Sequence, residues 1–164
     1  MATTIGVLSD THLYQVSKGL EQIYEVYLSD VDIILHVGDV VSAQVIEFLS
    51  QKPFYGVCGN MDPVEVKNIL PHKQVLEVEG FQIGMIHGWG SSEGLEERVL
   101  GEFNNVDAIV YGHSHRAMNQ HRHGVLLFNP GTATGYSSKG PHSIGILEVD
   151  KKITGKIIHV EELL

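Results

Sequence analysis

Short apolar runs recur along the chain, and the early ones each give way to polar residues and glycine. Residues 5–8 are too short for a helix and rich in branched side chains, so they predict a strand, which ends at Ser9-Asp10-Thr11-His12. Over 18–30 the residues Leu20, Ile23, Tyr24, Tyr27 and Leu28 fall at i, i+3, i+4, i+7 and i+8, one face of a helix. A second strand at 33–37 runs into Gly38-Asp39, and Ser42 then caps a helix whose buried side is Val45, Ile46 and Leu49. A third strand at 54–58 ends at Gly59-Asn60-Met61-Asp62, before a short helical piece at 64–69 that Pro71 stops. Strands at 74–78 and 81–86 flank the hairpin signal Glu79-Gly80, and the second arm ends at His87-Gly88-Trp89-Gly90. A helix at 95–103 leads to a strand at 108–111 that ends at Gly112-His113-Ser114-His115. Strands alone follow, at 117–121, 125–128, 144–149 and 155–160, joined by turns at His123-Gly124, 131–140 and 150–152. Without a repeat or a linker, the expectation is one domain over residues 1–164. Alternation of strand and helix followed by strands alone suggests a mixed sheet, or two packed sheets, with helices outside.

Composition narrows the class. With 43% hydrophobic and 19% charged residues in 164, disorder, collagen and coiled coil are excluded. A chain of this length buries a core without disulfides or a structural metal, so a metal here would be functional. Twenty acidic against eleven basic side chains give a net charge of −9, which repels nucleic acid and anionic membranes, so neither is an expected partner. The one cysteine, Cys58, cannot form an internal disulfide and reads as a small buried hydrophobe. The opening MATTIGVLSD lacks a basic segment and a long apolar stretch, so the cytoplasm is the expected compartment. Ten histidines, several in pairs, are left unexplained by composition.

Their positions supply the chemistry. Five separate strands end in Asp10-x-His12, Asp39, Asn60, His87 and His113-x-His115, all able to bind a metal. In sheets with parallel strands, ligands gather beyond the carboxyl ends, which would bring these seven side chains to one crevice. In extended chain, residues i and i+2 point to the same side, so each Asp-x-His or His-x-His pair can share a site. Gly38, Gly59, Gly88 and Gly112 adjoin these positions and leave steric room next to an ion. Seven N/O ligands exceed one tetrahedral zinc and suit two ions about 3.5–4 Å apart, with Asp39 as the natural bridge. Two divalent ions against Asp10 and Asp39 leave positive charge for a hydroxide and a phosphate oxygen. Imidazole, carboxylate and amide ligands without thiolate suit Mn²⁺, Ni²⁺, Fe²⁺ or Zn²⁺.

The series DTH at Asp10, GD at Gly38, GNMD at Gly59, HG at His87, GHSH at Gly112 and NPGT at Asn129 resembles the calcineurin-like metallophosphoesterases. More narrowly, it resembles their small prokaryotic phosphodiesterases, which are similar to the retromer subunit Vps29. The resemblance spans essentially the whole chain. It implies a four-layer αββα sandwich, two mixed β-sheets flanked by helices. It also implies that Asp10, His12, Asp39 and His115 hold one ion, and Asp39, Asn60, His87 and His113 the other. On this reading the protein hydrolyses a small phosphate ester, most simply a diester, by in-line attack of a metal-bridging hydroxide, with Asn60 and His87 as the catalytic side chains. Phosphomonoesterase activity and a noncatalytic Vps29-like interaction module are the alternatives. Two positions depart from the family. Many members carry a His after the Asn of GN-x-D/E, where it contacts phosphate or protonates the leaving group. This chain has Met61, which should favour substrates with good leaving groups. Where relatives often read HGH, this chain reads His87-Gly88-Trp89, making Trp89 a candidate apolar wall of the pocket.

Other polar residues have weaker claims. His36 lies inside an apolar strand and reads as a hydrogen-bonded core residue or as support for a ligand. His72, His121, His123, His142 and His159 read as surface or turn positions. Asp62 either orients a ligand, donates a proton, or caps a helix before Pro63. Asn129 borders the site by resemblance or simply belongs to a Pro-Gly turn. Residues 88–94 form either a lid over substrate or a connector. Apolar strand faces near the C-terminus leave a homodimer open.

Overall fold

Alternation along each strand decides which layer its side chains join. The structure, a computed structural model, describes residues 2–134 and 141–160, so part of the turn expected at 131–140 lies outside the described residues. In β1 (Thr3–Leu8), Ile5 and Val7 face one core while Leu8 faces another. The first sheet runs in the order β10 (Ile153–His159), β9 (Ser143–Val149), β1, β2 (Ile33–His36) and β3 (Phe54–Gly56). Its β1, β2 and β3 are parallel, and β9 and β10 antiparallel. The second sheet runs β4 (Lys73–Val78), β5 (Phe81–Ile86), β6 (Ala108–Val110), β8 (Val125–Asn129) and β7 (Met118–Arg122), with β5, β6 and β8 parallel. Both sheets are mixed.

Ile5, Val7 and Leu35 of the first sheet pack against Ile83, Met85, Val110 and Phe128 of the second, so one core lies between the sheets. On the first sheet's outer face, Leu8 and Ile34 meet α1 (Lys18–Ile23), α2 (Ala43–Leu49) and α3 (Val64–Lys67). On the second sheet's outer face, Ile86, Ile109 and Leu127 meet Leu95 and Val99 of α4 (Leu95–Leu100). The result is the four-layer αββα sandwich that the family resemblance implies. Among the described residues, no helix is long and apolar enough to cross a membrane.

Local sequence accounts for most boundaries. Ser42 accepts a hydrogen bond from the Gln44 N–H as the cap of α2, and Val45, Ile46 and Leu49 are its buried residues. Glu79-Gly80 and His123-Gly124 each close a two-residue hairpin with both residues at positive φ, the twist that suits paired strands. The helix expected over 18–30 differs in pitch: α1 gives way to a π-helical segment, Tyr24–Leu28. The wider turn lets Leu28, five residues after Ile23, bury itself over β1. Gly6, which carries no local signal, makes that approach feasible, because a Cβ there would stand 2.5 Å from a Leu28 methyl. The third strand stops at Gly56 and not at Cys58, since the Cys58 N–H leaves the sheet to donate to the Pro71 carbonyl.

Candidate metal centre

Parallel strands bring their following loops to one end of the sandwich, and there the loops lock to each other through the backbone. Asp10 N–H donates to Gly38 O (2.9 Å), His12 N–H to Asp39 O (3.0 Å) and Gly112 N–H to His87 O (3.0 Å). The expected extended geometry of the D-x-H and H-x-H pairs is not what aims them. Asp10, His12, Asp39, His113 and His115 all have left-handed backbone, with φ from 51° to 72°. Such conformations cost about 1–3 kcal/mol each and persist where surrounding contacts impose them. Here the strand has ended, and the chain curls over the sheet's end to point its side chains inward. Room for this comes from glycine: a Cβ on Gly38 would overlap the His87 ring, one on Gly59 the Asp39 carboxylate, and one on Gly112 the Ser9 hydroxyl.

Asp10 Oδ1 is buried without a hydrogen bond to any described residue. Around it stand three imidazole Nε2 atoms, of His115 at 3.3 Å, His87 at 3.7 Å and His12 at 3.8 Å. Asp39 Oδ2 lies 3.2 Å from His87 Nε2 and 3.7 Å from His12 Nε2. Ligand atoms each about 2.0–2.2 Å from a common ion lie roughly 3.0–3.5 Å apart; the His115–Asp10 and His87–Asp39 spacings suit a shared cation, and the other three exceed that range by a few tenths of an ångström. A buried carboxylate oxygen facing only nitrogen ligands fits a divalent ion chemically as well. Among the described residues two such groupings occur, Asp10 with His12 and His115, and Asp10 with Asp39 and His87. Asp10 belongs to both, whereas the family resemblance shares Asp39. Asp39 nevertheless faces members of each group through the same oxygen.

Asn60 and His113 join from the His87 side. Asn60 Oδ1 is 3.1 Å from His87 Nε2. The His113 ring packs edge-on against that of His87, 5.3 Å between centroids, and its Nε2 pairs with Gly90 O at 2.7 Å. Any ligation by His113 therefore falls to Nδ1, with Nε2–H held by the carbonyl. His87 is oriented the other way round, its Nδ1–H donating to Val37 O at 2.7 Å and its Nε2 facing the centre. Burial disfavours protonation of His87, but Asp39 and the Asp10 charge prevail and push its pKa up to about 9. Burial likewise opposes ionisation of Asp10, yet His115, His12 and His87 hold its carboxyl well below the usual carboxylate range. A proton thus occupies the His87 Nε2 lone pair that a cation would take, and cation binding would displace it.

A second ring of residues holds these groups in place. Asp62 is buried, and its carboxylate accepts N–H bonds from Gly59 (2.7 Å), Asp39 (2.9 Å) and Val41 (2.7 Å), tying the third strand's loop to the second's. It does not cap α3, whose N-cap is Pro63 without a side-chain bond. Burial pushes its pKa up while these backbone donors pull it back. Replacing Asp62 by Ala strands three N–H groups at about 1–3 kcal/mol each. Urea denaturation in chelator should show a loss of several kcal/mol, with Asp62→Asn recovering part of it. Loss of activity in Asp62→Asn at unchanged stability would instead point to proton transfer.

His36 accepts from Gly38 N–H through Nδ1 and pairs with Thr11 Oγ1 through Nε2 (both 3.1 Å); burial lowers its pKa to about 4, so it is neutral. Asn129, fully buried, donates to Gly112 O and Ser114 Oγ. The residues after it fasten the first loop, Thr132 Oγ1 to Asp10 O (2.8 Å) and Thr134 Oγ1 to Thr11 O (2.7 Å). Ser9 and Thr134 carry no individual signal in sequence, since a hydroxyl in a loop has no spacing rule, whereas Thr132 closes the NPGT motif. Arg98 of α4 donates to the carbonyls of Trp89 (3.0 Å), Glu93 (3.1 Å) and Ser91, which ties this loop to the helix that follows it.

Two clefts open beside the centre. One, about 440 Å³, is lined by Asn60, His87, Trp89, Lys67, His72 and neighbours. The other, about 470 Å³, is lined by Tyr14, Val41, Gln44, Met61, Glu65 and neighbours. Asn60 and Met61, adjacent in sequence, thus wall different clefts.

The chain matches the calcineurin-like phosphoesterase superfamily domain over residues 3–152. It is 36% identical over 163 residues to a probable metallophosphoesterase of Methanocaldococcus jannaschii, covering 96% of this chain and 82% of that protein. A phosphodiesterase of the same organism is 30% identical over 169 residues, covering 94% and 98%. The solved structure of vacuolar protein sorting 29 from Cryptosporidium parvum has the same fold, with TM-score 0.73 at 22% identity over 96% of this chain and 97% of that one. A domain match across nearly the whole length, with a relative above 30% identity over most of both proteins, makes this chain a member of the calcineurin-like phosphoesterase superfamily.

Proposed function

We propose that the protein is a metal-dependent phosphodiesterase, acting as one domain over residues 1–164 on a small phosphate ester. One divalent ion is held by Asp10, His12, Asp39 and His115, and a second by Asp39, Asn60, His87 and His113. The observation that carries this reading is the convergence of Asp10, Asp39 and three imidazoles from four strand ends, around a buried carboxylate oxygen without a hydrogen bond to any described residue. A pair of divalent ions supplies a nucleophile at neutral pH and Lewis-acid stabilisation of the phosphoryl oxygens. The chain's own part is positional. Asp62 fixes the backbone that presents Asp39 and Asn60, Val37 O orients His87, and Gly90 O orients His113. The walls around the centre receive the ester's substituents. A diester is favoured over a monoester because the neighbouring residues Asn60 and Met61 wall two separate clefts, one for each arm. Met61 offers no proton to the leaving group, which restricts efficient turnover to good leaving groups.

The test is the rate on a chromogenic diester and its monoester counterpart, after chelation and then with Mn²⁺, Ni²⁺, Zn²⁺ or Mg²⁺ restored. Metal-restored cleavage favouring the diester is expected. Cleavage favouring the monoester would reassign the substrate class. Silence of the folded protein with every metal would favour an interaction module, a reading that the likeness to vacuolar protein sorting 29 supports.

A further inference from the structure

Each cleft carries an exposed aromatic, Trp89 in one and Tyr14 in the other, but the two differ in charge, and that difference assigns the substrate's arms. Trp89 is 42% exposed, unusual for the largest apolar side chain, yet the backbone that carries it is anchored. Its carbonyl accepts from Arg98 Nε, and the next carbonyl, of Gly90, is held by His113. An indole open to a cleft offers a large planar face on which a second ring can stack. Lys67, the last residue of α3, lines the same cleft and is exposed; no hydrogen bond or ion pair joins its ammonium to a described residue. The Tyr14 cleft has Glu65 and no cation among its lining residues. In a protein of net charge −9, a cation in one cleft only makes that cleft the place for further negative charge.

We infer that the Trp89 cleft is the subsite for the nucleotide arm of the substrate, with the heteroaromatic ring on Trp89 and a second anionic group, such as a phosphate on the far side of the sugar, at Lys67. This rests on the phosphodiesterase reading for the position of the scissile phosphate, and it adds the substrate class. Stacking of a base on an aromatic side chain is worth about 1–3 kcal/mol, or roughly 5- to 150-fold in affinity. The cleft's volume of about 440 Å³ is within the range of small-molecule sites.

Trp89 is the chain's sole tryptophan, so its fluorescence reports on this cleft alone. Adenosine, AMP and adenosine 3′,5′-bisphosphate are titrated into the metal-loaded protein, with affinities measured in parallel by calorimetry. The bisphosphate should quench Trp89 and bind about 10-fold more tightly than AMP, a gap expected for one added charge-assisted contact. Lys67→Gln should close that gap while leaving AMP binding in place, and Trp89→Leu should weaken both nucleotides at least about 5-fold. Absence of quenching by the bisphosphate, or a preference for it that survives Lys67→Gln, would overturn the inference. Quenching and Lys67 dependence without hydrolysis of any ester would uphold this subsite and sink the phosphodiesterase reading. Hydrolysis of the chromogenic diester without quenching would do the reverse.

Discussion

Replacing Asp39 by Asn is expected to lower metal-dependent hydrolysis by at least about 10³-fold while the fold survives. Asp39 Oδ2 faces His87 at 3.2 Å and His12 at 3.7 Å, so it borders both groups of ligand atoms. Its other oxygen accepts the Met61 N–H at 2.8 Å, an acceptor role that an amide oxygen retains. The substitution therefore keeps the loop contact and removes the charge. It also sets an amide that can present donors where two imidazoles converge, which cannot bind a cation from that side. Metal content by elemental analysis should fall along with turnover, and thermal melts in chelator should stay close to wild type. A variant with near wild-type turnover would remove Asp39 from the centre and, with it, the case for a shared ligand.

The second large effect runs in the opposite direction. Met61→His should raise turnover on esters with poor leaving groups by up to about 10²-fold, because a positioned acid is the element that this position lacks. Met61 is suited to the exchange. Its N–H is fixed on Asp39, its side chain is half-exposed, and it walls a cleft beside the centre. An imidazole there would reach solvent for reprotonation between turnovers. The diagnostic is the slope of rate against leaving-group acidity, which should flatten in the variant. A uniform acceleration across all leaving groups would mean that the new histidine binds phosphate and that protonation was not limiting.

The chain is legible where short-range physics is decisive. The cap at Ser42, the two-residue hairpins at Glu79-Gly80 and His123-Gly124, and the burial of Val45, Ile46 and Leu49 all follow from neighbours within a few residues. The recurrence of Asp, Asn and His at five strand ends is legible too, because parallel strands leave their following loops on one side. What the pattern gives wrongly is the reason for side-chain direction. The D-x-H and H-x-H pairs work through left-handed turns and not through extended chain, since the strands have already ended.

By itself, the sequence determined the elements, the residue types able to hold a cation, and the family motifs in their order. Periodicity and ligand chemistry are properties of the residues themselves. The tertiary structure alone decided which atoms meet: that Asp62 ties the loops of Asp39 and Asn60, that Thr132 and Thr134 fasten a loop more than 120 residues earlier, and that Gly6 makes way for Leu28. It also decided that Lys67 and Trp89 line one cleft while Met61 lines another. Such contacts depend on how two sheets and their loops close in space, and a one-dimensional pattern fixes no distance between residues that only folding makes neighbours.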